Sequence, residues 1–424
     1  MNGWRDRIKR LARRCKPLFL ALYALRLLGQ RLRLRGQCIL HPLDPHLVLF
    51  DSFQSQHYND NPKALYLELL GDERYAAFHC VWVLRDPAAM GQLAAMPRTR
   101  VVAYDSPAYR RALTQAGYIV TNSMMPPFFK RRRGQCLIQT WHGTPLKRLG
   151  CDLTLDANQF DTVRRIHRRY IRQARQFSWL LSPSAFCSQK FTSAFSLESL
   201  HKQDILIERG YPRNDRLSSF TQEEVERLRR ELDIPPDAKV VLYAPTFRDN
   251  QQQDGEYVYT PALDFGRLAD ALGDRVILLF RAHYFVASRF DFSRYGGRVR
   301  DVSTVEDIND LYLVSDLLIT DYSSVFFDYT ILHRPVVFYM YDQEEYQHRL
   351  RDFYLDLSEL PGPIVRQPEE LAEPVRRLLT SFVPDARYLA FCQKYNPYED
   401  GHSSHRVWEE VFRRQGVLPG QPAE

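Results

Sequence analysis

Apolar residues recur at Trp4, Ile8, Leu11, Cys15, Leu18, Leu22 and Leu25, in alternating steps of four and three that lay one apolar stripe along a helix. Arg5, Lys9, Arg10, Arg13 and Arg14 fill the other faces, and Pro17 is expected to kink or split the segment. From residue 46 the pattern changes. Short β-branched or aromatic runs alternate with helical stretches: His46–Phe53, His79–Leu84, Arg100–Tyr104, Tyr118–Thr121, Leu137–Trp141, Trp179–Leu181 and Ile205–Ile207. Such alternation predicts a parallel sheet flanked by helices. Thr221-Gln-Glu-Glu224 then opens a charged helix with a capping-box pattern, and Ile234-Pro-Pro-Asp237 ends it, which marks a domain boundary. A second series follows at Val240–Tyr243, Val276–Phe280, Val299–Val302, Leu317–Thr320 and Val336–Tyr339.

The expected architecture is therefore α/β: two Rossmann-like domains facing a cleft, with an N-terminal amphipathic basic helix. The expected units are the basic segment at 1–36, a first α/β domain at 37–220, a second at 221–385, and a C-terminal helix within 386–424 that crosses back onto the first. Ligands of open parallel sheets bind beyond the carboxyl ends of the strands, so motifs at strand ends carry the functional reading.

Composition narrows the class. A chain of 424 residues with 45% hydrophobic and 13% aromatic content has material for two ordinary domains and excludes disordered, collagen-like and disulfide-scaffold readings. Seven cysteines form no Cys-x-x-Cys pair, which fits reduced thiols in the cytoplasm. Residues 1–36 hold eleven Lys/Arg and one acid, a net +10, so the rest of the chain carries −3. The apolar run Leu18–Leu28 is broken by Arg26 and is far short of the roughly 20 residues a membrane span needs. The segment reads as a helix lying on an anionic membrane surface, or else as a helix packed on its own protein. A nucleic-acid arm is disfavoured because the −3 body continues no basic track. Two further basic clusters, Lys130–Arg133 and the Arg164, Arg165, Arg168, Arg169, Arg172, Arg175 series, are either solvated faces or a patch for diphosphates or lipid headgroups.

Four strand ends carry candidate chemistry. Cys136 to Trp141 runs into His142-Gly-Thr-Pro-Leu-Lys147, a tight turn that holds His142 where a general base has to stand; a structural imidazole is the alternative. Val276–Phe280 leads into Arg281-Ala-His283, with Arg281 and His283 on one side of the chain, placed to clamp a phosphate unless Arg281 pairs with an acid. Tyr243-Ala-Pro-Thr-Phe-Arg248-Asp249 has the same strand-then-polar-turn form. Leu317–Thr320 ends at Asp321-Tyr-Ser323-Ser324, where the first turn of a helix offers free N–H groups and hydroxyls to a diphosphate, or the serines simply cap it. Asp321 and Asp328 either anchor hydroxyls of a bound alcohol or cap. There is no His-Glu-x-x-His and no other metal motif.

Trp141-His-Gly-Thr-Pro-Leu-Lys147, Gly210-Tyr-Pro-Arg-Asn-Asp215, Tyr243-Ala-Pro-Thr-Phe-Arg-Asp249, Ile319-Thr-Asp-Tyr-Ser-Ser324 with Asp328, Arg334-Pro335 and Asp400-Gly401 together resemble the CDP-glycerol glycerophosphotransferase family of teichoic-acid primases and polymerases, over about residues 115–410. The resemblance implies a glycosyltransferase B-type fold, a peripheral position on the cytoplasmic face of the membrane, and cofactor-free, metal-independent transfer from CDP-glycerol or a related CDP-polyol to a lipid-linked or polymeric acceptor. It assigns His142 as base, His283 as a second essential histidine near the donor diphosphate, and Ser323, Ser324 and Asp328 to the donor-binding turn; Arg248, Arg281, Thr320 and Asp321 complete the expected donor set. Tyr284 departs from the proline expected after that histidine. The length leaves no room for a third domain, so a single-addition primase or a short capsule-type enzyme is as well accommodated as a polymerase. Two other readings stay open: a nucleotide-sugar-dependent transferase of the same fold, and a non-catalytic membrane adaptor.

Overall fold

Two parallel sheets, each buried on both faces, organise the chain in the computed structural model, which describes residues 16–154, 162–246, 252–253, 256–257, 263–282, 291–343 and 353–416. The first sheet contains β1 (Asp44–Asp51), β2 (His79–Leu84), β3 (Thr99–Ala103), β4 (Ala116–Thr121), β5 (Cys136–Gln139), β6 (Trp179–Ser182) and β7 (Leu206–Glu208), in the order β3-β2-β1-β4-β5-β6-β7. After β8 (Lys239–Ala244) comes a small antiparallel pair, β9 (Gln252–Gln253) and β10 (Glu256–Tyr257). The second sheet continues with β11 (Val276–Phe280), β12 (Val299–Asp301), β13 (Leu317–Thr320), β14 (Val336–Tyr339) and β15 (Ile364–Val365), in the order β12-β11-β8-β13-β14-β15.

The strands are continuous apolar runs because both faces are covered. In β1, Leu47 and Leu49 enter one core with Ile119 and Leu137, while Val48 and Phe50 enter the other with Trp82. In β8, Val240 and Leu242 face one core and Val241 and Tyr243 the other. This is the period-2 division of a strand between two apolar layers. Sequence order reverses between β1 and β4 in the first sheet and between β8 and β13 in the second, and at such reversals the flanking loops part to leave a crevice.

Three sequence expectations shift. The strand expected at Leu137–Trp141 stops at Gln139, because Trp141 turns into positive φ (54°). The short strands β9, β10 and β15 escaped the pattern, being only two residues each. The N-terminal helix, seen as Lys16–Leu40, continues past the expected boundary at Gly36, and Leu34, 6% exposed, packs in the first core. The stripe positions from Trp4 to Cys15 lie outside the described residues. Among the described residues no helix is long and apolar enough to cross a membrane.

The C-terminal elements run from one sheet to the other. Phe391 and Tyr395 of the Ala386–Tyr395 helix belong to a core of the second sheet, whereas Val407, Trp408, Val411 and Phe412 of the Ser403–Gln415 helix belong to a core of the first. Asp215 fixes that last helix by accepting from the Ser403 and Ser404 amides at 2.6 and 2.7 Å, a carboxylate at a helix N-terminus. Trp408 is fully buried and donates Nε1–H to Leu65 O at 2.8 Å.

Candidate active site

A cleft of about 1210 Å³ opens between the two sheets, lined by residues that follow β1, β4 and β5 on one side and β8, β11 and β13 on the other. His142 stands on the first side. Gln139, the last residue of β5, turns the chain there: its side chain accepts from Trp141 N at 2.9 Å and donates to Ser123 O at 2.9 Å. Gly143 follows at φ 148°, a conformation that a side chain would strain, and a Cβ there would lie 3.0 Å from Ser324 Oγ of the second side. The glycine thus allows the two walls to approach.

The imidazole of His142 stacks on Trp141 with ring centroids 4.5 Å apart, and its Nδ1 lies 2.9 Å from Asn122 O. A carbonyl only accepts, so Nδ1 carries the proton and Nε2 keeps its lone pair. The ring is exposed to the cleft, and the protein crowded around the cleft floor lowers its pKa from 6.5 by desolvation. The hydrogen bond to Asn122 and the Asp60 charge oppose the shift, and Arg213 adds to it. The group is a neutral base at neutral pH.

Arg213 locks the two walls together. Its Nη1 donates to Asp60 Oδ2 at 2.7 Å and its Nη2 to Asp328 Oδ2 at 2.6 Å, while Asn214 Nδ2 holds Asp328 Oδ1 at 3.2 Å. The Arg213 amide donates to Asn61 Oδ1, and Asn61 Nδ2 reaches Trp141 O at 3.2 Å, which couples the clasp to the His142 turn. Burial works against the guanidinium charge, but Asp328 and Asp60 more than offset it and raise its pKa. Burial raises the Asp328 carboxyl, with Arg213 opposing. A second clasp joins the walls at Glu306, which lies 3.2 Å from His57 Nδ1 and accepts from Tyr58 N at 2.9 Å.

The second wall presents Arg281, Ser323 and Ser324. Arg281 Nη1 donates to Val305 O at 2.7 Å, and among the described residues no carboxylate lies within ion-pair distance of it, so the acid pairing considered from sequence is absent there. Desolvation lowers its pKa, and Tyr312, Asp307, Glu306 and Asp310 oppose the shift without a direct ion pair. Neither serine hydroxyl has a partner among the described residues; in particular Ser324 does not cap the helix it precedes. That helix, Val325–Tyr329, has five residues, so it offers local N–H groups rather than a long macrodipole.

Other expected site residues sit differently. Thr320 is fully buried, with its hydroxyl donating to Ala244 O at 2.7 Å, and Asp321 Oδ1 accepts from the Thr246 and Tyr322 amides at 2.7 and 2.6 Å. Both brace β13 against β8 beneath the cleft and do not line it. Asp328 lines the cleft but has each oxygen engaged, by Arg213 and Asn214. Arg248 and His283 lie outside the described residues. Arg213, Asp60 and Glu306 were not singled out from sequence; the motif Gly210-Tyr-Pro-Arg-Asn-Asp215 was the available signal for the first. Glu68, Asp72 and His405 have metal-ligand spacing, but they lie outside the cleft lining and Arg74 holds Asp72 at 2.7 Å.

Residues 35–413 match the family model described as CDP-Glycerol:Poly(glycerophosphate) glycerophosphotransferase. The chain is 36% identical over 382 residues to the teichoic acid poly(glycerol phosphate) polymerase of Bacillus subtilis (strain 168), a match covering 88% of this chain and 50% of that protein. It spans only about half the length of that relative. It is 35% identical over 374 residues to the teichoic acid glycerol-phosphate transferase of Staphylococcus aureus (strain NCTC 8325 / PS 47), covering 87% of this chain and 93% of that one. Among solved structures, the wall teichoic acid polymerase TagF superposes with a TM-score of 0.82 at 30% identity, over 97% of this chain and 99% of that chain. The facing pair of parallel sheets is the glycosyltransferase B-type arrangement shared with that neighbour.

Proposed function

Because the chain belongs to the CDP-glycerol:poly(glycerophosphate) glycerophosphotransferase family, we propose that it transfers glycerol phosphate, or a related polyol phosphate, from a CDP-activated donor to an acceptor hydroxyl and releases CMP. The observation that carries this reading is one cleft holding a base with its lone pair free, His142, opposite a cation with no direct ion pair among the described residues and two open hydroxyls. His142 Nε2 takes the acceptor's hydroxyl proton. The acceptor oxygen attacks the phosphorus that bears the polyol, the phosphoanhydride P–O bond breaks, and CMP leaves with the electron pair. Arg281, Ser323 and Ser324 hold the diphosphate and meet the charge that grows on the leaving oxygen. His283 and Arg248 join this donor set by the family resemblance.

The test is nucleotide release from CDP-glycerol, CDP-ribitol and UDP-sugars. CMP from a CDP-polyol is the expected product; UDP from a sugar donor would make the chain a glycosyltransferase, and no release by folded protein would leave an adaptor.

Attachment belongs to the same reading: a peripheral position on the cytoplasmic face through the N-terminal helix, whose Leu25, Leu28 and Leu32 are 64%, 53% and 56% exposed at spacings of three and four. Replacing the three by serine abolishes co-sedimentation with anionic vesicles while leaving the fold intact. Sedimentation equal to that of the parent chain would refute the anchor.

A further inference from the structure

The helix Val163–Ala174 contains Arg164, Arg165, Arg168, Arg169 and Arg172, is followed by Arg175 and carries no acidic residue. All six arginines are exposed, whereas Ile166, Tyr170, Gln173 and Ala174 are buried against the first sheet. Like charges at i,i+4, here Arg164 with Arg168 and Arg165 with Arg169, are unfavourable in an isolated helix, so this concentration costs stability that no intrahelical pair returns. A solvated face does not need such uniformity. Arg169 and Arg172 also line the cleft that contains His142. Between them and the N-terminal helix the cleft wall is apolar, formed by Met124, Met125, Pro126 and Pro127, and Arg31 of that helix donates to Pro127 O at 3.3 Å on the outer side.

We propose that the flank Arg165, Arg169 and Arg172 is the acceptor subsite, holding phosphodiester groups of a polyol-phosphate chain so that its terminal hydroxyl reaches His142. Two observations carry it: Arg169 and Arg172 line the catalytic cleft, with Arg165 one turn earlier on the same face of the helix, and they lie on the wall opposite the donor groups Arg281, Ser323 and Ser324. A flat membrane surface gives the flank that lines the cleft no advantage over the neighbouring exposed flank. A flexible polyanion threads into a cleft and uses the flank that lines it. Guanidinium groups at steps of four and three along a helix rise about 5 Å per contact, within the repeat of an extended glycerol-phosphate unit. The subsite deepens the transfer reaction proposed above and rests on it.

The experiment uses the full chain and a fluorescent synthetic oligo(glycerol phosphate) of about ten units as probe, first by equilibrium binding without donor and then as acceptor in CMP release from CDP-glycerol. The triple variant Arg165→Gln/Arg169→Gln/Arg172→Gln weakens probe binding and raises the acceptor KM on the order of tenfold, as expected for several exposed charge contacts, and CDP affinity by calorimetry stays at the parent value. The control Arg164→Gln/Arg168→Gln/Arg175→Gln removes the same charge from the other flank and leaves the acceptor KM within about twofold. Equal losses in both triples overturn the subsite and leave only a diffuse charge effect. Reduced binding to anionic vesicles with unchanged probe affinity overturns it in favour of a membrane surface. A parent chain that binds the probe yet releases no CMP with any donor refutes the transfer reading instead, while the binding difference between the triples still decides the subsite.

Discussion

The wall of the cleft built on the first sheet and the wall built on the second satisfy their polar groups in opposite ways. On the first, the groups that support the base are committed to one another: His142 Nδ1 to Asn122 O, Arg213 to Asp60 and Asp328, Asn61 to the carbonyl of Trp141. On the second, Arg281 makes no direct ion pair among the described residues, although Glu306, Asp307 and Asp310 are near enough to act on its charge, and the Ser323 and Ser324 hydroxyls have no partner there. The difference fits the chemistry proposed for each. A base is useful only with a fixed tautomer and direction, which internal hydrogen bonds supply. A diphosphate site must keep donors open, since a donor paired within the protein would have to be released before it could meet the ligand.

Substitution at His142 tests the first wall most sharply. His142→Ala lowers kcat by about 10²- to 10⁴-fold, roughly 3 to 5 kcal/mol of barrier, and leaves CDP affinity almost unchanged, because the donor groups lie opposite. Steady-state kinetics with calorimetry checks both halves. Retention of more than about a third of the parent turnover would remove His142 from the mechanism.

Arg213→Ala attacks the same wall through its support. Two carboxylates, Asp60 and Asp328, lose their common cation in a site where the guanidinium is only 9% exposed. Removing one partner from a buried ion pair costs about 3 to 5 kcal/mol, and chemical denaturation is the measurement. Arg213→Lys restores the charge but not the fork that reaches both acids, so it recovers part of the stability. A loss below about 1 kcal/mol for the alanine variant would mean that the clasp is replaced by water and the walls are held elsewhere.

How far the sequence anticipated these walls depends on the range of the information. Strand positions were legible because doubly buried parallel strands must be apolar throughout, and His142 was legible because Gly143 and Pro145 mark an enforced turn. The commitment of Asp328 to Arg213 was not, since the two are 115 residues apart and a carboxylate near a serine pair looks the same whether it meets a ligand or an arginine. Thr320 and Asp321 misled for a related reason: they sit at a strand end, as ligand-binding residues do, but their side chains point back to Ala244 and Thr246. Which way a polar side chain turns at a strand end is decided by the neighbouring strand.

On the second wall the expected change is in binding alone. Ser323→Ala/Ser324→Ala weakens CDP about tenfold, near 1.4 kcal/mol, and shifts unfolding free energy by no more than about 0.5 kcal/mol, because neither hydroxyl caps the helix at Val325. Calorimetric titration and denaturation on the same samples compare the two. An unchanged CDP affinity would place the diphosphate away from this turn. A stability loss of the order of 1 kcal/mol would show the serines to be structural, and the contrast between the walls would fail.

The last test reaches behind the first wall, to Glu399. Its Oε1 accepts from Tyr211 N at 3.0 Å, but its Oε2 is buried without a partner, and so is Oδ1 of Asn214, the residue that braces Asp328. Burial is the main reason its carboxyl is pushed up to about 8, the Tyr211 amide opposes, and the charges of Asp328 and Asp215 add to the rise. The Asn214 side chain also opposes the rise, and a proton on Glu399 removes the buried charge and gives the carboxyl a donor beside that amide. The folded-state pKa lies above the unfolded value of 4.5, so the stabilising contribution is complete below pH 4.5 and is lost as pH rises toward 8. Glu399→Gln keeps a donor at every pH. The variant is therefore equal to or slightly less stable than the parent at pH 5, more stable at pH 8, and flatter between them. Denaturant unfolding at a series of pH values reads the crossover, and CDP affinity at pH 8 stays constant if the donor wall is independent of this network. Parallel pH profiles for parent and variant would show that Glu399 is ionised in the fold and already satisfied, and a change in CDP affinity would show that the two walls share their support.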